Sequence, residues 1–128
     1  MPTKTIYFSK ARTALKYGLQ ALDINNQGVI LVPDFVCESI FPPIIQNSLR
    51  FLTYEVEDDL SPVWPSLDML VTKETKAILM VHYFGQPQNI ERFEEFCAEH
   101  NLFLIEDNAH GHGGVYGEKK LGTFGDIG

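Results

Sequence analysis

The chain has few of the features that would assign it quickly. Only two of its 128 residues are cysteines, Cys37 and Cys97, and they lie 60 positions apart. That excludes a disulfide-framed scaffold and offers no paired metal spacing. Positive charge is scarce, with 10 Lys and Arg against 17 Asp and Glu, for a net charge of -7. A protein with that balance is a poor match for a nucleic-acid backbone or an anionic membrane, although a local pocket for a small anion stays open. No apolar run reaches membrane-spanning length. The N-terminus, Met1 to Tyr7, lacks the apolar core of a signal peptide, so the sequence reads as cytoplasmic. Repeats, low-complexity tracts and linker composition are also missing. With 45% hydrophobic and 21% charged residues, the expectation is one globular domain over residues 1–128 with no internal boundary.

What is present is an alternation of helix and strand signals. Ala11, Ala14, Leu15, Gly18, Leu19 and Leu22 recur at helical spacing, and Ser9 is placed to cap that helix. Asn25 to Gly28 carries turn chemistry. Val29 to Val32 is a short β-branched run, a buried strand stopped by Pro33. Residues 34–49 suggest a helix that Pro42-Pro43 must start or kink. Phe51 to Val56 reads as a strand and Glu57 to Asp59 as a charged turn. Trp64 is a packing anchor before a short helix with Leu67, Leu70 and Val71. Ala77 to Val81 is an apolar strand ending at His82, and Gly85 to Pro87 is loop. Ile90, Phe93, Phe96, Cys97 and His100 share a helical face opposite Glu91, Glu94, Glu95 and Glu99. This makes Cys97 a plain core thiol, and Asn101 stops the helix. Leu102 to Ile105 is the next strand, and a hairpin joins Val115-Tyr116 to Lys119-Leu121. The alternation predicts an α/β fold of three layers, a mainly parallel sheet with helices on both faces.

Parallel strands place their C-terminal ends on one rim, where ligands bind in open α/β sheets. Asp34, His82 and the Glu106-Asp107 pair meet there, followed by His110 and His112. A carboxylate after a strand can equally be a cap or turn residue. The start of the first helix, with Arg12 and Thr13, adds free N–H groups that favour an anion. An anion site facing a carboxylate suits a planar phosphorylated cofactor with a basic ring nitrogen, and pyridoxal phosphate has both features. Asp107, His110 and His112 with His82 could alternatively ligate a metal, since carboxylate and imidazole are suitable ligands.

The ordered motifs Val29-Ile-Leu-Val-Pro33, Thr75-Lys-Ala-Ile78 and Val81-His-Tyr-Phe-Gly-Gln-Pro87 resemble the N-terminal part of the DegT/DnrJ/StrS family of aminotransferases. Ile105-Glu-Asp-Asn-Ala-His-Gly-His-Gly113 and Gly122-Thr-Phe-Gly-Asp-Ile-Gly128 extend the resemblance over almost the whole chain. It implies part of the large domain of fold-type I pyridoxal-phosphate transferases, amination of nucleotide-linked keto sugars, and a homodimer or a completing chain. By the same resemblance Asp107 partners the pyridine nitrogen and His110 lies near the phenolic oxygen. Arg12 and Thr13 take the phosphate, and His112 stands beside the site. Cys37 occupies the position where the family commonly stacks an aromatic ring, and Ala11 replaces a usual glycine. The family's Schiff-base lysine lies several residues past the last motif, while Lys119 and Lys120 match hairpin lysines. The expectation is therefore a chain inactive alone, with a non-catalytic binding or assembly module as the alternative.

Overall fold

The computed structural model describes residues 4–24 and 27–128; Asn25 and Asn26 of the expected turn lie outside them. Helix α1 spans Ala11–Ala21, strand β1 Val29–Pro33, and a 3-10 turn at Glu38–Ile40 runs into helix α2, Phe41–Gln46. Strand β2 is Arg50–Tyr54, helix α3 Trp64–Leu70 and strand β3 Thr75–Val81. A second 3-10 turn, Tyr83–Gly85, precedes helix α4, Ile90–His100, strand β4, Phe103–Asp107, and the hairpin of β5, Val115–Tyr116, with β6, Lys119–Lys120. The four long strands form one sheet in the order β2-β1-β3-β4, and every pairing in it is parallel.

The sheet is covered on both faces, which is why its central strands read as unbroken apolar runs. Side chains alternate across a strand. Val29, Leu31, Ile78, Met80 and Leu104 therefore meet Leu67, Phe93 and Phe96 of α3 and α4 on one face. Ile30, Val32, Leu79, Val81 and Ile105 meet Leu19 of α1 and Ile44 of α2 on the other. Each fully buried side chain of this size contributes about 1.5–3 kcal/mol. Trp64 is the anchor expected of it, with its ring edge-on to Phe93 at 5.1 Å.

Local chemistry explains most element ends. Pro42 and Pro43 fall in the first turn of α2, where the missing N–H costs nothing, so they start the helix. Asn89 accepts the Arg92 N–H to cap α4, and Asn101 closes it in a left-handed conformation at φ 54°, which asparagine tolerates. Some expectations need correcting. Ser9 does not cap α1: Lys10 occupies the cap position, and no side chain bonds there. Strand β2 ends at Tyr54, and Val56 instead bridges Pro62 to close the turn between them. Strand β4 runs on through Glu106 and Asp107, because parallel pairing with Met80 and Val81 outweighs their low β-propensity. Among the described residues, no helix is long and apolar enough to cross a membrane.

Candidate functional site

The register of β4 separates its two carboxylates. Glu106 points to the Leu104 face and Asp107 to the Ile105 face. Glu106 is only 3% exposed. Its Oε1 accepts Nε2–H of His82 at 2.9 Å and the Gly122 N–H at 2.6 Å. Its Oε2 accepts the N–H groups of Phe124 at 2.7 Å and Gly125 at 3.1 Å. These four donors saturate the carboxylate. Burial pushes its pKa up, but the bonds from His82 and the loop amides outweigh that and hold it below the ordinary 4.5. His82 is fully buried, and its Nδ1 accepts the Gln88 N–H at 3.1 Å.

This pair corrects the reading of the rim. Glu106 and His82 are a structural clasp, not reactive groups. They bind the loop 121–127 against β4, where Asp126 also accepts the Leu104 N–H at 2.8 Å. With His82 so committed, it cannot join Asp107, His110 and His112 around a metal. Among the described residues, no three metal-binding side chains converge.

Asp107 remains at the rim, half-buried, its Oδ1 accepting the Ala109 N–H at 3.0 Å. Its charge is felt at Cys37 and at Tyr83, so the ends of β1, β3 and β4 do converge. Cys37 is exposed just past β1. The Ser39 hydroxyl donates to its Sγ at 3.2 Å, and that bond holds the thiol below its ordinary 9.0. Sequence reasoning assigned no role to Tyr83. It is buried, its hydroxyl donates to the Phe35 carbonyl at 2.5 Å, and its ring packs against Phe35 at 5.8 Å. Burial, with Asp34 and Asp107 nearby, raises its pKa well above 10. Its place directly after the apolar strand β3, next to His82, is the signal the sequence offers.

His110 is exposed, and its Nδ1 accepts the Phe84 N–H at 3.2 Å. Phe84 lies almost parallel to the imidazole at 5.9 Å. His112 is exposed beyond it. Arg12 and Thr13 sit in the first turn of α1. The Thr13 amide is already donated to the Lys10 carbonyl at 3.0 Å, whereas the Ala11 and Arg12 amides have no partner among the described residues. The C-terminal end of α1 shares a cavity with Ser48 and Leu49, next to the start of β2. An 11-residue helix is about 16 Å long, so its N-terminus lies toward the opposite end, the side of Asp107. The donor set, two free amides with Arg12 and Thr13 at one side and a carboxylate at the other, is chemically suited to pyridoxal phosphate.

Comparison with known proteins places the fold and the family. Residues 3–128 match the DegT/DnrJ/EryC1/StrS aminotransferase family. The GDP-perosamine synthase of Vibrio cholerae is 33% identical over 120 residues, covering 93% of this chain and 33% of that protein. The dTDP-4-dehydro-2,3,6-trideoxy-D-glucose 4-aminotransferase of Saccharopolyspora spinosa is 28% identical over 127 residues, 98% of this chain and 33% of that protein. An aminotransferase structure from Psychrobacter cryohalolentis superposes with a TM-score of 0.80 at 26% identity, covering 89% of this chain and 29% of that one. The E. coli GDP-4-keto-6-deoxy-D-mannose-3-dehydratase, solved with bound hydrated PLP, superposes at 0.75 with 30% identity, covering 89% and 31%. The chain spans about a third of the length of the curated relatives it matches. Its sheet and helices are those of fold-type I aminotransferases, and the chain belongs to the DegT/DnrJ/EryC1/StrS aminotransferase family.

Proposed function

We propose that this chain carries the cofactor-holding part of a sugar aminotransferase site, with pyridoxal phosphate as its ligand. One observation carries the reading: the end of β4 leaves Asp107 at the strand rim, while its neighbour Glu106 is consumed on the other face. In this reading Asp107 holds the ring nitrogen and His110 lies against the ring's oxygen. The amides of Ala11 and Arg12, with the Arg12 and Thr13 side chains, hold the phosphate. Cys37 lines the ring face, and His112 stands at the edge. When bound, pyridoxal phosphate supplies an electron sink through its protonated ring nitrogen. Nucleotide-linked keto sugars are the proposed substrates, and a second copy or a completing chain the proposed partner.

Lys119 and Lys120 stand on the β5–β6 hairpin, and no lysine follows them within these 128 residues. Binding to this chain is therefore expected to be non-covalent and the chain alone inactive. Titration followed by absorption is expected to show bound aldehyde without a Schiff-base band. A hydrogen bond to a charged group is worth about 1.5–3 kcal/mol, so Asp107→Ala is expected to weaken binding roughly 10- to 100-fold. Equal affinity in both proteins would overturn the site.

A non-catalytic assembly role is the second reading. The consecutive apolar side chains Ile6, Tyr7 and Phe8 are left exposed, with Phe8 stacked on exposed Tyr17 at 5.6 Å, and such a patch favours it. A clean monomer in sedimentation at high concentration would count against it.

A further inference from the structure

We propose that the turn Tyr83–Gly85 fixes the tautomer of His110, so that Nε2 carries the ring hydrogen and His110 meets an anionic oxygen as a hydrogen-bond donor. This rests on the reading of the Asp107 rim as an anion-holding cofactor site. The first observation is backbone strain. Phe84 adopts φ 55° and ψ 22°, a left-handed conformation that is strained for a bulky residue. Gly85 follows at φ 80°, and a Cβ there would stand 3.0 Å from the His110 carbonyl oxygen. The two residues press the turn against the His110 loop.

The second observation is what the turn presents. The Phe84 N–H reaches Nδ1 of His110 at 3.2 Å. An amide N–H can only donate, so Nδ1 must accept, and the hydrogen of the neutral ring belongs to Nε2. The Phe84 ring lies 14° from parallel to the imidazole while 71% exposed. Core burial therefore does not explain its placement, and His110 is the aromatic ring it covers. His82 offers an internal comparison. It too accepts a backbone amide at Nδ1, from Gln88, but spends its Nε2–H inside the fold on Glu106. The Nε2 of His110 has no partner among the described residues and is left for a ligand. Phe84 is thus a positioning residue: it acts on the ligand through the orientation and tautomer of His110.

Long-range 1H–15N NMR of histidine-labelled protein reads the tautomer directly, and it needs no cofactor. His110 is expected to show a pyridine-type Nδ1 and a pyrrole-type Nε2, with a coupling across the hydrogen bond to the Phe84 amide nitrogen. Hydrogen on Nδ1, or an averaged pair of nitrogens, overturns the proposal in the wild-type protein alone. Gly85→Ala displaces the turn and is expected to lose the coupling and average the two nitrogens, while the His82 signals, reporting an intact fold, stay put. A single Nε2–H tautomer that persists without the coupling would show that the turn does not set it. Cofactor titration keeps the two ideas apart. An averaged tautomer with Asp107-dependent binding removes this inference and leaves the site standing. A single Nε2–H tautomer with Asp107-independent binding removes the site, and with it the anionic partner of His110, while the tautomer set by the turn stands.

Discussion

Asp107 and Glu106 are adjacent, chemically alike and opposite in use, and the difference comes from a period of two along β4. The Glu106 clasp carries a pH prediction. Its folded pKa lies below the ordinary 4.5, so it contributes stability that is fully present above the unfolded value. That contribution is lost as pH falls through the folded one. Glu106→Gln leaves three loop amides and His82 facing a weaker, neutral acceptor, and it is expected to cost about 1.5–3 kcal/mol near neutrality. Urea unfolding at several pH values is expected to show that gap narrowing below about pH 4.5; a constant gap would exclude the mechanism. The two cysteines diverge in the same way. Burial pushes the Cys97 thiol up to about 12, whereas exposed Cys37 is held below 9.0 by Ser39. Since the thiolate is the reactive form, a thiol reagent is expected to modify one residue in the folded chain, Cys37, and two after denaturation.

At the scale of elements, the loop 121–127 behaves as a continuation of the sheet. Asp126 N–H donates to the Leu104 carbonyl, and Glu106 N–H to the Ile127 carbonyl. A parallel bridge joins Ile105 and Ile127. Gly125 makes the approach possible, because a Cβ there would lie 2.7 Å from both the Leu104 and Ile127 carbonyl oxygens. Those atoms are backbone and cannot move aside. Gly125→Ala is expected to cost about 1–3 kcal/mol and to lower the midpoint of a thermal melt by several degrees. Selective loss of hydrogen-exchange protection at Glu106 and Asp126 would locate the damage. Gly18 packs on the same segment from α1, with the nearest contact a flexible methyl of Ile127, so Gly18→Ala is expected to be milder.

For the whole molecule, one sheet serves two cores. Phe93 belongs to the core on the α3–α4 side and Ile44 to that on the α1–α2 side, and β1 and β3 contribute side chains to both. Phe93→Ala is expected to cost about 3–5 and Ile44→Ala about 2–5 kcal/mol. The sheet separates the sites, so the double variant is expected to equal the sum within about 0.5 kcal/mol. Two resolved unfolding transitions would instead mean that the cores melt independently.

Much of this was determined by sequence alone. Runs of consecutive apolar residues at β1 and β3 can only be buried on both faces, which requires a parallel sheet with two helix layers. The spacing of Ile90, Phe93, Phe96 and Cys97 placed α4 with its buried face correct. The motif order around Asp107 pointed to the family. Tertiary structure decided which polar groups are free to act. His82 and Glu106 looked like rim chemistry because strand ends are where ligands bind. Whether a side chain faces a ligand or a neighbouring loop depends on residues some twenty positions away, Gly122, Phe124 and Gly125, whose amides reach Glu106 only once that loop folds back. The strained conformation of Phe84 is equally invisible in the sequence, since nothing about a phenylalanine announces a left-handed backbone. It accompanies the contact of the turn with the His110 loop, a contact between segments that local propensity does not encode.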